Sequence, residues 1–319
     1  MTLSRRVASA ALLALAATAG AHAQDFPTKP LRIVVPTGAG GITDIVARIV
    51  AARLGERLGQ NVLIDNRPGA SGIIGSEIVA RAPPDGYTLL MVFPSHPVNP
   101  ALKLRLPYDT IRDFAPITTV TTVSLVLVVP PALPAQDVPS LIALAKRDKL
   151  TYASVGAGSL GHLGAELFRS MAAIDLTNIA YRSAPDAQAA LLRGEVSMFF
   201  DTPITAAPHV REGRLRALGI STRERSALFP GVPTIAETLA GYEVLGWNGI
   251  LAPAATPDAI VQRLNREIGA ILADPEVKRQ LDQQGATPAP STPEAFGQRI
   301  RVDVAKWADI IRQAGIRPD

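Results

Sequence analysis

The chain contains no cysteine, which excludes disulfides, a lipidated amino-terminal cysteine and any thiolate metal site. Histidine is scarce as well: there are four in 319 residues. Three of them, His96, His162 and His209, are scattered without the H-x-x-x-H spacing of a zinc helix. Aromatic residues make up 5%, and the basic residues are interleaved with acids rather than run together. A nucleic-acid surface asks for a basic patch with stacking aromatics, so nucleic acid is not an expected partner. Beyond the amino terminus no apolar run is long enough to span a bilayer. Neither a metal nor a cofactor is expected.

What is present begins with a leader. Arg5 and Arg6 precede an apolar run from Ala10 to Ala19, and Ala21-His22-Ala23 forms an A-x-A cleavage signal. Residues 1–23 therefore read as a secretory signal peptide, cleaved after Ala23, with the Arg5-Arg6 pair leaving Sec and twin-arginine export both open. The net charge is +4, of which these two arginines contribute two. About 295 residues remain, enough for one large or two medium domains.

Short β-type runs then alternate with longer helical patterns. "LRIVVP" (31–36) reads as a buried strand, followed by a helix whose Ile42, Ile45, Val46, Ile49, Leu54 and Leu58 share one face. "NVLIDN", "YTLLMVF" and "SLVLVVP" (124–130) are further strands, with "SGIIGSEIVARA" a helix between the first two. The alternation continues through strands at 151–155, 177–180, 196–200 and 215–220 and helices near 138–147, 160–172 and 184–193. After Trp247 strand character fades into helical patterns at 257–272, 275–283 and 293–314. Such alternation predicts an α/β fold with parallel-rich sheets flanked by helices. Two series appear, so the expected form is two lobes with a cleft between them: residues 24–122 plus 222–319, and residues 123–221.

Two stretches share one grammar. "VVPTGAGGITDIVARI" and "ASVGAGSLGHLGAELF" each read as a strand, a glycine-rich turn and the start of an amphipathic helix. Amides in the first turn of a helix have no partner within it and sit at the positive end of its dipole, which makes an anion site. Ligands of such sheets bind beyond the carboxyl ends of the strands. Thr37 to Asp44, Ser95 with His96, Ser154 to His162, Arg182, and Asp201 with Thr202 all fall there. Each also has a plainer reading: Asp44 as a brace for its own loop, Arg182 as a solvated strand-end charge, Trp247 as core packing, and "NRPGASG" (66–72) as a turn that opens the next helix.

Two enzymatic alternatives share the second stretch. Gly156, Gly158 and Gly161 have the G-x-G-x-x-G spacing of a dinucleotide loop, and Arg182 in place of the usual acid would suit the 2′-phosphate of an NADP-linked oxidoreductase. Ala157 to Gly161 also reads A-x-S-x-G, which with Asp201 and His209 gives a Ser159 hydrolase in the usual chain order.

"VPTGAGGITDIVAR", "GQNVLIDNRPGASGIIGSEIVARAPPDGYTLL", "YASVGAGSLGHLGAELF" and "WNGILAPAATP" resemble, in order and over essentially the whole chain after the leader, the Bug-type receptors of tripartite tricarboxylate transporters. The resemblance implies a periplasmic two-lobe binding protein, without catalytic residues, that closes on a small organic carboxylate. It further implies a monomer that passes its ligand to a membrane permease, although some members are thought to sense rather than transport. It carries over a site of Thr37, Gly38, Gly40, Gly41, Thr43 and Asp44 in the first loop, with Ser154, Gly156, Gly158, Ser159, His162 and Asp201 in the second lobe. Ser95 and Arg182 are added from the strand-end argument. Two departures stand out: Thr37 replaces an aromatic residue, and "YRSAPD" (181–186) replaces a Tyr-Lys-Gly type of stretch. Asp201 would suit an ammonium or hydroxyl on the ligand and oppose a second carboxylate.

Overall fold

The computed structural model describes residues 26–102, 105–156, 158–181, 183–226 and 228–315. The expected leader over 1–23, its cleavage point and Arg182 lie outside the described residues. The strands are β1 (Leu31–Val35), β2 (Val62–Asn66), β3 (Thr88–Val92), β4 (Phe114–Val123), β5 (Val126–Val129), β6 (Leu150–Ser154), β7 (Leu176–Ala180), β8 (Met198–Asp201), β9 (Arg216–Ile220), β10 (Gly246–Pro253) and β11 (Thr287–Pro288). Helices α1 (Ile42–Leu58), α2 (Ile73–Ala80) and α3 (Ser95–Leu102) belong to the first part of the chain. They are followed by α4 (Val138–Ala145), α5 (Leu160–Ala172), α6 (Ala184–Leu192) and α7 (Pro203–Arg211), then by α8 (Asp258–Leu272), α9 (Pro275–Asp282) and α10 (Pro293–Ala314).

Two sheets result. The first runs β11-β4-β10-β3-β1-β2 and the second β7-β6-β8-β5-β9. β1 pairs in parallel with both β2 and β3, and its apolar residues are buried on both faces, as a strand covered by helices on either side requires. β6 pairs in parallel with β7 and β8, whereas β5 is antiparallel to both its neighbours. The α/β class with parallel-rich sheets holds, with antiparallel strands inserted where the chain passes from one sheet to the other.

One expectation fails. Strand character does not end after Trp247: β10 pairs antiparallel with β3 and β4, and all eight of its residues are buried. Gly246, Asn248, Gly249 and Pro253 hide it from a propensity reading. Gly249 is there for space, because a Cβ at this position would overlap the ring of Phe296 in α10. β4 was missed for a similar reason: it carries Pro116 and four threonines within ten residues. Helices α3 and α7, each interrupted by proline, were not anticipated either.

α8 and α9 pack Leu264, Ile268, Val277 and Leu281 into one core with Val46, Val50 and Leu54 of α1. α10 reaches further. Its Phe296 and Ile300 pack with Trp247, whereas Trp307, Ile310 and Ile311 share a core with Leu163 and Phe168 of α5. Val98 and Leu102 of α3 join that second core, so an apolar seam runs between the lobes. Ile235, Tyr242 and Val244 pack there too, and we place the return crossing just before Gly246 instead of at the expected residue 222. Ser221, fully buried, ties the two crossings together: its Oγ accepts the Leu125 amide at 2.8 Å and donates to the Val244 carbonyl at 2.6 Å.

His96 lies in α3, 2% exposed, its ring parallel to Tyr108 and edge-on to Phe114. Its Nε2 donates to the Thr110 carbonyl at 3.1 Å. Burial pushes its pKa down to about 4, only partly offset by that carbonyl. An unfolded chain binds this proton near pH 6.5, so native stability falls as pH drops from about 6.5 to about 4. Urea unfolding should therefore show the wild-type advantage over His96→Gln declining by about 1.4 kcal/mol per pH unit below pH 6. A difference that stays constant between pH 7 and pH 5 would contradict the buried neutral imidazole.

Candidate functional site

The first loop joins β1 to α1. Gly41 enters the helix in an extended conformation (φ −77°, ψ 163°) and offers no side-chain cap. The amides of Ile42 and Thr43 therefore have no acceptor among the described residues. Behind the loop, the Asp44 carboxylate is 2% exposed and fully engaged. Its Oδ2 accepts the Gly40 amide at 2.8 Å and Arg48 Nε at 2.9 Å, and its Oδ1 accepts Asn66 Nδ2 at 2.9 Å. Burial pushes its pKa up, but the hydrogen bonds from Arg48, Gly40 and Asn66 outweigh this and hold the group below the ordinary carboxylate range. Asn66 Nδ2 also reaches the Thr37 carbonyl at 3.1 Å, clamping the loop to the end of β2.

The second loop joins β6 to α5. Ser159 caps the helix, its Oγ accepting the His162 amide at 3.3 Å. The Gly158 amide donates to His162 Nδ1 at 3.2 Å, and the Ser159 amide to the Gly156 carbonyl at 3.3 Å. Leu160 and Gly161 are left with amides that have no acceptor among the described residues. Gly158 has φ +75°, and a Cβ on it would stand 2.6 Å from Leu102 Cδ1. Its missing side chain lets this loop meet α3 of the other lobe.

A third wall comes from "NRPGASG". Ala70 (φ 48°) and Ser71 (φ 56°) both adopt the left-handed conformation, which costs a non-glycine residue about 1–2 kcal/mol. The Ser71 carbonyl so presented accepts Ser95 Oγ at 2.9 Å and Asn99 Nδ2 at 3.1 Å. Opposite, Asp201 ends β8 and is 2% exposed. Its Oδ1 accepts the Thr202 amide and Thr205 Oγ1, each at 2.7 Å, and its Oδ2 accepts Gln188 Nε2 at 2.8 Å. Burial pushes its pKa up, with Thr205, Thr202 and Gln188 pulling it partly back.

These walls enclose a cleft of about 420 Å³. Of the stretches expected at the site, Ile42, Thr43, Ser95, Val155, Gly158 to Gly161, Asp201 and Thr202 line it. Gly38, Gly40 and Gly41 form the solvent-exposed tip of the first loop. Thr37, Asp44, Ser154, Gly156 and His162 are not on the lining, and Asp44, Ser154 and His162 are buried. The Oγ atoms of Thr37 and Ser154 are enclosed with no hydrogen-bond partner among the described residues. Sequence reasoning misses Ser71, Phe93, Phe199, Phe200 and Asn248 on the lining, and Trp247 belongs to the lining as well as to the core. For Phe199 and Phe200 a signal existed, since both belong to the "VSMFF" strand that ends at Asp201. For Ser71 only the strained backbone reveals the role.

The hydrolase alternative loses its geometry. Ser159 Oγ serves as a helix cap, and His209 Nε2 pairs with Gln188 Oε1 at 3.2 Å. No described contact joins Ser159 to His209. The dinucleotide spacing has local explanations as well: Gly158 makes room for Leu102, and a Cβ on Gly161 would stand 3.0 Å from the Phe200 carbonyl. Among the described residues no group of three or more His, Asp or Glu is arranged to hold a metal.

The chain matches the profile of the tripartite tricarboxylate transporter family receptor over residues 46–316. It is 37% identical over 313 residues to a UPF0065 protein from the tcbD-tcbE intergenic region of Pseudomonas sp. strain P51, covering 96% of this chain and 93% of that protein. Among solved structures, an R. palustris protein with adipate is 35% identical at a TM-score of 0.78, covering 92% of this chain and 100% of that one. The periplasmic binding protein BugD is 31% identical at a TM-score of 0.75 over the same shares.

The bracing of the first loop has a direct test. Asp44→Asn turns an amide toward donors that Asp44 now satisfies and should lower stability by about 1–3 kcal/mol in urea unfolding at pH 7. Unchanged stability would contradict the role given to this carboxylate.

Proposed function

The chain belongs to the receptor family of the tripartite tricarboxylate transporters, and on that premise we propose that it is a periplasmic solute-binding receptor for a small organic carboxylate. In this reading the ligand lies between the starts of α1 and α5, and the bound form is delivered to the membrane permease of a tripartite system. No chemistry is done on it. The reading includes export by the leader, cleavage after Ala23 and action as a monomer.

One observation carries the proposal. Helix starts from two different sheets, each with amides lacking an acceptor among the described residues, line the same cleft. Each start carries the positive end of a helix dipole, so a carboxylate between them accepts hydrogen bonds from both sides. That the R. palustris relative was solved with adipate supports a carboxylate as the ligand class. A ligand that touches both helix starts only when the lobes approach shifts the population toward the closed form. Ser154, Thr37 and His162 then act as support for the loops, and Ser95 and Ser159 as hydroxyls beside the ligand. Arg182, a strand-end cation in the sequence reading, is proposed as a further partner for the same anion.

A panel of mono-, di- and tricarboxylates in a thermal-shift assay should include at least one acid that raises the melting temperature while its uncharged amide does not. The amides themselves are tested by Ile42→Pro. Ile42 is the first residue of α1, where proline is tolerated, and the extended Gly41 before it suits a following proline. Ile42→Pro should keep the fold and weaken the best acid about tenfold or more, the worth of one hydrogen bond to a charged group. Ile42→Ala, which keeps the amide, should bind within about threefold of wild type. A panel in which no acid shifts the melt, or equal affinities in the two variants, would overturn the proposal.

A further inference from the structure

The rest of the cleft wall narrows the ligand class. Phe93, Val123 and Leu160 line it with partly exposed apolar side chains, whereas Phe199, Phe200 and Trp247 belong to the lining with side chains almost wholly buried in the cores behind it. Among the described residues of the lining, Asp201 is the one ionisable group. A carboxylate held at the helix starts directs its body toward a wall made mostly of apolar residues. A second carboxylate on that body would leave water for apolar surface and a fixed anion, with no compensating cation on the described wall.

Burial raises the pKa of Asp201, and the hydrogen bonds it accepts oppose that rise and favour its anion. Three donors converge on it: the Thr202 amide and Thr205 Oγ1 on one oxygen, and Gln188 Nε2 on the other. Gln188 is held in that orientation, since its Oε1 accepts from His209 Nε2 and its Nε2 also donates to the Thr205 carbonyl at 3.0 Å. The Thr202 amide and Gln188 Nε2 can only donate to Asp201, which favours its charged form. The lone-pair capacity left on the carboxylate suits a ligand hydroxyl or ammonium.

We propose that the cleft takes a monocarboxylate with an apolar, ring-sized body and rejects a second carboxylate, with Asp201 as the residue that sets this preference. The proposal rests on the carboxylate reading above. It adds the far end of the ligand: uncharged, or carrying a hydrogen-bond donor. A cleft of about 420 Å³ accommodates a single substituted ring with space for such a group, within the usual size range of small-molecule sites.

The test compares p-toluate with terephthalate by calorimetry at pH 7. The two acids share a ring and differ by a methyl group against a carboxylate. Wild type should bind p-toluate at least tenfold more tightly than terephthalate, and Asp201→Asn should narrow that ratio to about threefold or less. Should Asp201→Asn fail to fold, the wild-type ratio decides the matter alone. Equal or tighter binding of terephthalate by wild type would overturn the proposal and direct attention to Arg182. So would a folded Asp201→Asn with the wild-type ratio, or binding of adipate with neither ring acid bound, and in the last case the carboxylate reading would still stand. Failure of every acid to bind would remove both.

Discussion

A helix begins with backbone amides that it cannot satisfy itself, and the architecture of this protein turns on where those amides face. At α1 and α5 the residues that carry them line one cleft from opposite sheets, and these amides have no acceptor among the described residues. Asp44 is spent on Gly40, Arg48 and Asn66, so its charge braces the first loop instead of filling it. Ser159 and His162 engage the amides on either side of Leu160 and Gly161. In the proposed function this leaves the anion's place to a ligand. Fixed dipoles suit a receptor that must also let go, because they hold charge without the strength of a buried ion pair.

The lobes that carry these helix starts are joined in two different ways. Ser221 bonds both crossings at one buried point. Beside them, α3 and the end of α10 insert Val98, Leu102, Trp307 and Ile311 into the core beneath α5. Gly158 meets Leu102 across this seam. Lobe motion in the proposed mechanism is therefore a rotation about a packed apolar edge, with the cleft opening on the far side. Trp247 stands where these parts meet: the residue belongs to the cleft lining, and its buried ring packs edge-on to Phe296 and donates from Nε1 to Asp303 Oδ2 at 2.7 Å.

The twin strand–loop–helix stretches were legible in sequence because each of their signals is local. Buried runs such as "LRIVV", glycine at the turn and the helical spacing that follows speak within a few residues. β10 and β4 were not legible as strands, since their place in the sheet comes from partners far along the chain and overrides glycine, proline and threonine content. The site was legible to a similar depth. Both loops and Asp201 could be named, but whether Asp44 meets a ligand or its own loop depends on Arg48 and Asn66 arriving beside it. Ser71 was weighed as part of a simple turn. Only the backbone, with two non-glycine residues at positive φ, shows that this turn carries a carbonyl to which Ser95 is fastened.

The central claim is that one anion is shared by two helix starts, and amide chemical shifts report on it most directly. In a titration of the labelled protein with the best-binding acid, followed by proton–nitrogen correlation spectra, the account predicts a specific response. The amides of Ile42, Thr43, Leu160 and Gly161 should move downfield together along a single binding curve. Binding that leaves either pair in place while resonances elsewhere shift would contradict it.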